Sequence, residues 1–194
     1  MPTLMANTAP IWVGLGALIF FHEQQNRLFW IGLIVALAGS AMILGQDISM
    51  TREAGLGTFL GLVAAFFYSS YYLVAQRGRN HLDTLTYFWI YTCSSAVFLL
   101  LLNIILGRPF TGYDTHTYLL FLALGLLGQV FGWLAITYVQ GLLPASIVAP
   151  TLLGQPIVTA VLAVILLGEQ FTIWHIIGAV ISLLGVYLVH WSRT

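Results

Sequence analysis

Apolar residues fill this chain in long runs, broken by short clusters of polar and charged residues. Each run is about 20 residues, the length a helix needs to cross a ~30 Å hydrocarbon core. The runs are Leu4–Phe21, Leu28–Gly45, Gly55–Ala75, Leu85–Leu106, Tyr118–Tyr138, Ala145–Leu167 and Ile173–Trp191. The linkers are HEQQNR, QDISMTRE, QRGRNHLDT, GRPFTGYDTHT, VQGLLP and GEQFT. This pattern predicts an all-α polytopic protein with seven transmembrane helices. It leaves no room for a soluble domain or a disordered tail.

Composition makes lipid the solvent. Of 194 residues 60% are hydrophobic and 6% charged, with mean hydropathy +0.96. A soluble domain carries about 25% charged residues. Net charge is zero and all six basic residues are Arg, so nucleic acid, which needs clustered cations, is excluded as a partner. The single Cys93 cannot form an internal disulfide, and no His/Cys spacing resembles a metal site. No cofactor is expected. The first cation is Arg27; a cleaved leader would need a basic segment before its apolar one, so the first run reads as a retained span.

Loops alternate sides of the membrane. Arg27, Arg77, Arg79 and Arg193 fall on one side, Arg52 and Arg108 on the other. The positive-inside rule then places the C-terminus in the cytoplasm and the N-terminus outside the cell membrane.

One segment occurs twice. Pro10–Gly39 (PIWVGLGALIFFHEQQNRLFWIGLIVALAG) aligns without a gap on Pro156–Gly185 (PIVTAVLAVILLGEQFTIWHIIGAVISLLG), a shift of 156 − 10 = 146 residues. Pro10 meets Pro156, Glu23 meets Glu169, Gln24 meets Gln170, Gly32 meets Gly178 and Gly39 meets Gly185. The copies start at the first and sixth spans. An offset of five is odd, so they are expected to run in opposite directions, an inverted-topology duplication of the kind carriers use. Glu23 would then lie near the cytoplasmic face and Glu169 near the external face.

The chain resembles the EamA-type branch of the drug/metabolite transporter superfamily. The resemblance rests on "AP…E…IG…G" at Ala9–Gly39 and "QP…GEQ…IIG…GVYLV" at Gln155–Val189. It extends over AAFFYSSYYLVAQR at Ala64–Arg77 and over Ala135–Pro156. The resemblance implies a ten-helix fold of two inverted five-helix repeats, of which this chain matches the fourth to tenth helices. Residues 1–46 would be the last two helices of the first repeat, 47–54 a linker and 55–194 the complete second repeat. In-frame DNA before Met1 is expected to encode about three more apolar spans. The implied activity is export of small metabolites or drugs by alternating access, with proton coupling suggested by the family. The alternative is a truncated membrane protein that does not transport, or a packing partner in an oligomer. A homodimer through the last helix of a repeat is a further implication.

Several residues could carry the chemistry. Pro10 and Pro156 sit inside helical patterns and free the carbonyls of Ala6 and Leu152, as a kinked gate or as a kink satisfied by a neighbour. Thr151, Gln155 and Thr159 are spaced by four and form one polar stripe. Gln129, Trp133, Thr137 and Gln140 share a face, and Tyr68 and Tyr72 follow on the third span. Tyr87, Tyr91 and Ser94 or Ser95 add hydroxyls on the fourth. Polar groups in membrane helices face a bundle interior or a cavity, so Tyr68, Tyr72, Gln129, Trp133, Thr137, Thr151, Gln155 and Thr159 are read together as a substrate cavity. The competing reading is hydrogen bonding between helices, worth ~0.6 kcal/mol per contact. Glu23 and Glu169 could relay a proton or substrate; beside the cap-type residues Asn26 and Thr172, a structural role at helix ends is favoured. Gly57/Gly61, Gly128/Gly132, Gly32–Ala36–Ser40 and Gly178–Ser182 read as packing surfaces. A retinal protein would need a Schiff-base Lys, which is missing. No nucleophile–base pair or acidic dyad supports an enzyme.

Overall fold

Caps and prolines decide where each apolar run becomes helix in the computed structural model, which describes residues 2–45, 54–107, 110–168, 170 and 172–193. The helices are α1 (Pro2–Ala6), α2 (Ala9–Phe20), α3 (Arg27–Leu44), α4 (Ala54–Arg79), α5 (Thr84–Ile105), α6 (Thr115–Ala123), α7 (Leu134–Gln140), α8 (Ala145–Thr151), α9 (Gln155–Leu167) and α10 (Ile173–Trp191). A π-helical run, Leu124–Trp133, joins α6 to α7, and a 3₁₀ turn, Leu152–Gly154, joins α8 to α9. Among the described residues no strand occurs, and seven helical stretches are long and apolar enough to cross a membrane. They run Thr3–Phe20, Arg27–Leu44, Gly55–Arg79, Thr84–Ile105, Thr115–Gln140, Ala145–Leu167 and Ile173–Trp191, close to the spans read from hydropathy. Arg52, Arg108, Glu169 and all of the 47–54 linker except Ala54 lie outside the described residues.

The chain divides into two compact units, residues 1–74 with 144–194 and residues 75–143. In the first, α3 and α10 cross along their length. A Cβ on Gly39 would lie 2.3 Å from the Ser182 nitrogen and 2.5 Å from the Gly178 carbonyl oxygen. One on Gly185 would lie 2.2 Å from the Ala36 nitrogen and 2.6 Å from the Gly32 carbonyl oxygen. Low residue numbers of one helix thus meet high numbers of the other, and the helices are antiparallel. Glycine is required because backbone meets backbone. Phe29, Leu33, Ala36, Ile147, Leu153 and Val189 are buried around this crossing.

The glycine expectation held at this crossing and failed at Gly128 and Gly132. A Cβ on Gly128 would meet nothing within 4 Å, and one on Gly132 would meet the Leu127 carbonyl of its own helical run at 3.4 Å. Both sit in the π-helical run, which carries no fully buried residue.

Among the described residues the two copies of the repeated segment share the same order of break, helix, turn and helix. Each helix containing the matched proline restarts after a break: Pro10 follows the turn at Asn7 and Thr8, and Pro156 follows the 3₁₀ turn. The single first span predicted from hydropathy is therefore two helices, α1 and α2, because proline cannot donate across the break. The Ser182 hydroxyl donates to the Leu153 carbonyl inside the second break, at 3.2 Å. Each helix then ends on a left-handed residue, His22 (φ +56°) and Gly168 (φ +69°). Asn26 caps α3 by accepting from the Phe29 amide at 2.9 Å, and Thr172 caps α10 in a reciprocal pair with His175.

His22 is the position where the first copy bears a side chain that left-handed backbone disfavours. His22→Gly is expected to raise stability by about 0.5–1 kcal/mol, the steric relief exceeding the added unfolded-state entropy. Thermal unfolding in detergent followed by size-exclusion reads this; a lower midpoint would contradict it.

In the second unit, Arg79 at the end of α4 fixes the α4–α5 turn. Its Nε donates to the Thr137 carbonyl at 3.1 Å, its Nη2 to Thr84 Oγ1 at 2.7 Å, and its Nη1 to the Leu82 carbonyl. The guanidinium lies on Gly141, where a Cβ would sit 2.3 Å from Nη2. Tyr87 packs in the same way on Gly78.

Candidate functional site

The polar residues singled out from the sequence fall into the two units, and each set stands by itself. In the first unit the stripe on α8 and α9 is uncovered. Thr151, Gln155 and Thr159 are all exposed. The Thr151 hydroxyl donates back to the Ile147 carbonyl at 2.8 Å and lies 2.9 Å from His190 Nε2. Gln155 begins α9 beside the helix break, and neither the Gln155 nor the Thr159 side chain has a hydrogen-bond partner among the described residues. Tyr68 is 43% exposed, whereas Tyr72 is buried and stacks edge-on against Tyr71. Tyr72 is therefore a packing residue as well as a polar one.

A polar knot sits at the end of the same unit. Glu23, in the α2–α3 turn, accepts from the Ser146 hydroxyl at 2.6 Å and forms an ion pair with Arg193 at 2.8 Å. Arg193 Nη2 also donates to Ser146 Oγ at 2.6 Å and Gln25 Oε1 at 3.1 Å. Asn26 Nδ2 reaches the Ser192 carbonyl at 2.9 Å. Ser146 is wholly buried; the Glu23 and Arg193 side chains are 15% and 32% exposed. Glu23 thus ties the end of α10 to the start of α8. Sequence reasoning missed Arg193 and Ser146 as its partners. Span parity carried the signal for Arg193, because the first loop and the C-terminus fall on one side.

In the second unit Gln129 is half-buried in the π-helical run and donates to the Tyr91 hydroxyl at 2.8 Å. Trp133 ends that run, and its carbonyl accepts from the Thr137 hydroxyl at 2.8 Å. Thr137 is fully buried, so its side chain bonds to its own helix. Gln140 is buried with neither amide atom partnered. The π-helical geometry was not legible from sequence. Wider turns of this kind recur at functional sites, and here they present Gln129 to α5. Among the described residues no group of three His, Cys, Asp or Glu could hold a metal.

Comparison with known proteins places this arrangement. The model of the EamA-like transporter family matches residues 55–191. The chain is 24% identical over 184 residues to the uncharacterized transporter YdfC of Bacillus subtilis, covering 95% of this chain and 60% of that protein. It is 26% identical over 180 residues to an uncharacterized transporter of Clostridium kluyveri, covering 87% of this chain and 56% of the relative. The chain thus spans less than two thirds of these relatives' length. A solved protein structure superposes with TM-score 0.79 at 18% identity, over all of this chain and 67% of the other. That likeness concerns fold alone.

Proposed function

Because the chain belongs to the EamA-like transporter family, we propose that it works as a carrier exporting small metabolites or drugs by alternating access. One observation carries the reading. The Thr151–Gln155–Thr159 stripe is exposed, beside a helix break that has a counterpart at the matched proline of the other copy. Unpartnered polar groups on a membrane helix are costly against lipid and are expected to line a water-filled path. Paired interruptions in corresponding segments are the sequence pointer to a carrier's binding region. The antiparallel α3–α10 crossing supports the inverted orientation of the copies. Contact Gly32–Gly185 becomes contact Gly178–Gly39 on adding 146 to one number and subtracting it from the other. In the first unit Gln155, Thr159 and the exposed Tyr68 offer an amide, a hydroxyl and an aromatic face without charge, which suits small amphipathic or aromatic solutes. Pro10 and Pro156 act as the flexible points in this reading, and Glu23 as a structural tie. In this reading the C-terminus is cytoplasmic and the N-terminus external, an orientation that the Arg distribution supports.

Accessibility tests the path directly. On a Cys93→Ser background, Gln155→Cys and Thr159→Cys are expected to react with a charged, membrane-impermeant thiol reagent. Ile165→Cys, on the exposed apolar surface of α9, is expected to react with permeant reagents alone. Labelling of all three by the permeant reagent alone would place the stripe against lipid and remove the path. In cells made resistant by this chain, Gln155→Ala is expected to lower efflux about 3- to 10-fold, the loss of one hydrogen bond to substrate.

A further inference from the structure

A groove of about 610 Å³ opens on the second unit, lined by Asp83, Thr84, Leu85, Phe131, Leu134, Ala135 and Tyr138. Its volume falls within the ~300–1,000 Å³ of small-molecule sites. Its two ends differ in chemistry. Leu85, Phe131, Leu134 and Ala135 form an apolar wall on spanning helices. Asp83 and Thr84 form a polar mouth where the span Thr84–Ile105 begins, which is the membrane boundary.

One charge lies in the mouth and the opposite one directly behind it. Asp83 caps α5 by accepting from the Thr86 amide at 3.0 Å. Hydrogen bonds from Thr86, its side chain first and its amide second, hold the Asp83 carboxyl below the usual carboxylate range, so it is ionised at neutral pH. Arg79 donates to Thr84 Oγ1, a groove residue, and its other partners are the carbonyls of Thr137 and Leu82. All three acceptors are neutral, and no carboxylate pairs with Arg79 among the described residues. Gly141 fixes the guanidinium from behind. The mouth thus holds one carboxylate, and behind its Thr84 stands the Arg79 guanidinium, all of whose acceptors are neutral.

We infer that this groove binds a zwitterionic phospholipid with a primary ammonium headgroup, its ammonium on Asp83, its phosphate towards Arg79 and an acyl chain along Phe131, Leu134 and Ala135. An amphiphile matches the order of the lining, polar at the membrane boundary and apolar within. A headgroup bearing one ammonium and one phosphate matches the two charges. The site is separate from the polar stripe on α9 and does not depend on the transport reading.

The test is native mass spectrometry of the purified full chain in detergent with equal phosphatidylethanolamine, phosphatidylcholine and phosphatidylglycerol. Phosphatidylethanolamine is expected to be retained about two- to fivefold over either competitor, the range that one exposed ion pair supplies. Asp83→Asn keeps the helix cap, because Asn caps as well as Asp, and is expected to abolish the preference. Ala135→Trp fills the groove at an exposed position and is expected to lower retention of all three lipids. Circular dichroism confirms that both variants fold. Equal retention of the three lipids, or no change in either variant, would mean annular lipid alone and overturn the site. A preference for phosphatidylglycerol would assign the groove to Arg79 alone and overturn the zwitterionic occupant.

Discussion

Gly39→Leu and Gly185→Leu are each expected to prevent α3 and α10 from closing on one another, costing about 3 kcal/mol or more. The distances leave no alternative. A Cβ at either position would lie within 2.3 Å of a backbone nitrogen of the facing helix. A backbone atom cannot rotate away as a side chain can, so the helices must separate. Separation would uncover Phe29, Leu33 and Val189, now wholly buried. In lipid these contacts are lost without a compensating hydrophobic term, since close packing itself holds such helices together. Gly128→Leu is the matched control, because no neighbour lies within 4 Å of its Cβ position. Thermal unfolding in detergent, followed by size-exclusion, should show both α3–α10 variants destabilised or aggregated and the control intact. Equal behaviour of all three variants would mean that the crossing is not the core of the first unit.

Reversing one charge of the Glu23–Arg193 pair should have the second-largest effect. Glu23→Arg places a cation beside Arg193 and removes the acceptor of the buried Ser146 hydroxyl. The pair is partly exposed, so the loss lies between that of a surface pair and that of a buried one, about 1–3 kcal/mol. Arg193→Glu should cost a similar amount by opposing Glu23. The double reversal, Glu23→Arg with Arg193→Glu, restores opposite charges at the same ends. It should recover at least half of the summed loss, a coupling that a double-mutant cycle measures directly. Additive losses in the double variant would show that the two side chains do not interact in the folded chain.

The first unit's repeated segment was the most legible part of this protein. Asn26 and Thr172 align in the two copies and both cap helices. The left-handed positions His22 and Gly168 align as well, although His22 gave no composition signal for that geometry. Glycines were legible in type and less so in role. Gly32, Gly39, Gly178 and Gly185 meet across a helix crossing, while Gly128 and Gly132 do not. The same small-residue spacing served both cases, because spacing says which residues share a helix face and not what that face meets. The candidate cavity divides similarly. Gln155 and Thr159 stay uncovered, whereas Thr137 turns its hydroxyl into its own helix and Tyr72 is buried.

What the chain's order of residues determined alone was the number of spans, their approximate limits, the caps and an interruption at each matched proline. These follow from local causes: the length of an apolar run, the missing proline donor and a polar side chain at the first turn. Tertiary structure alone decided which glycines touch, which partners Glu23 takes and where the fifth span widens into π-helix. In a bilayer nearly every helix face is apolar, so periodicity no longer marks the buried side. Contacts between helices are then chosen by shape and by a few polar groups, and those reveal themselves when the helices are brought together.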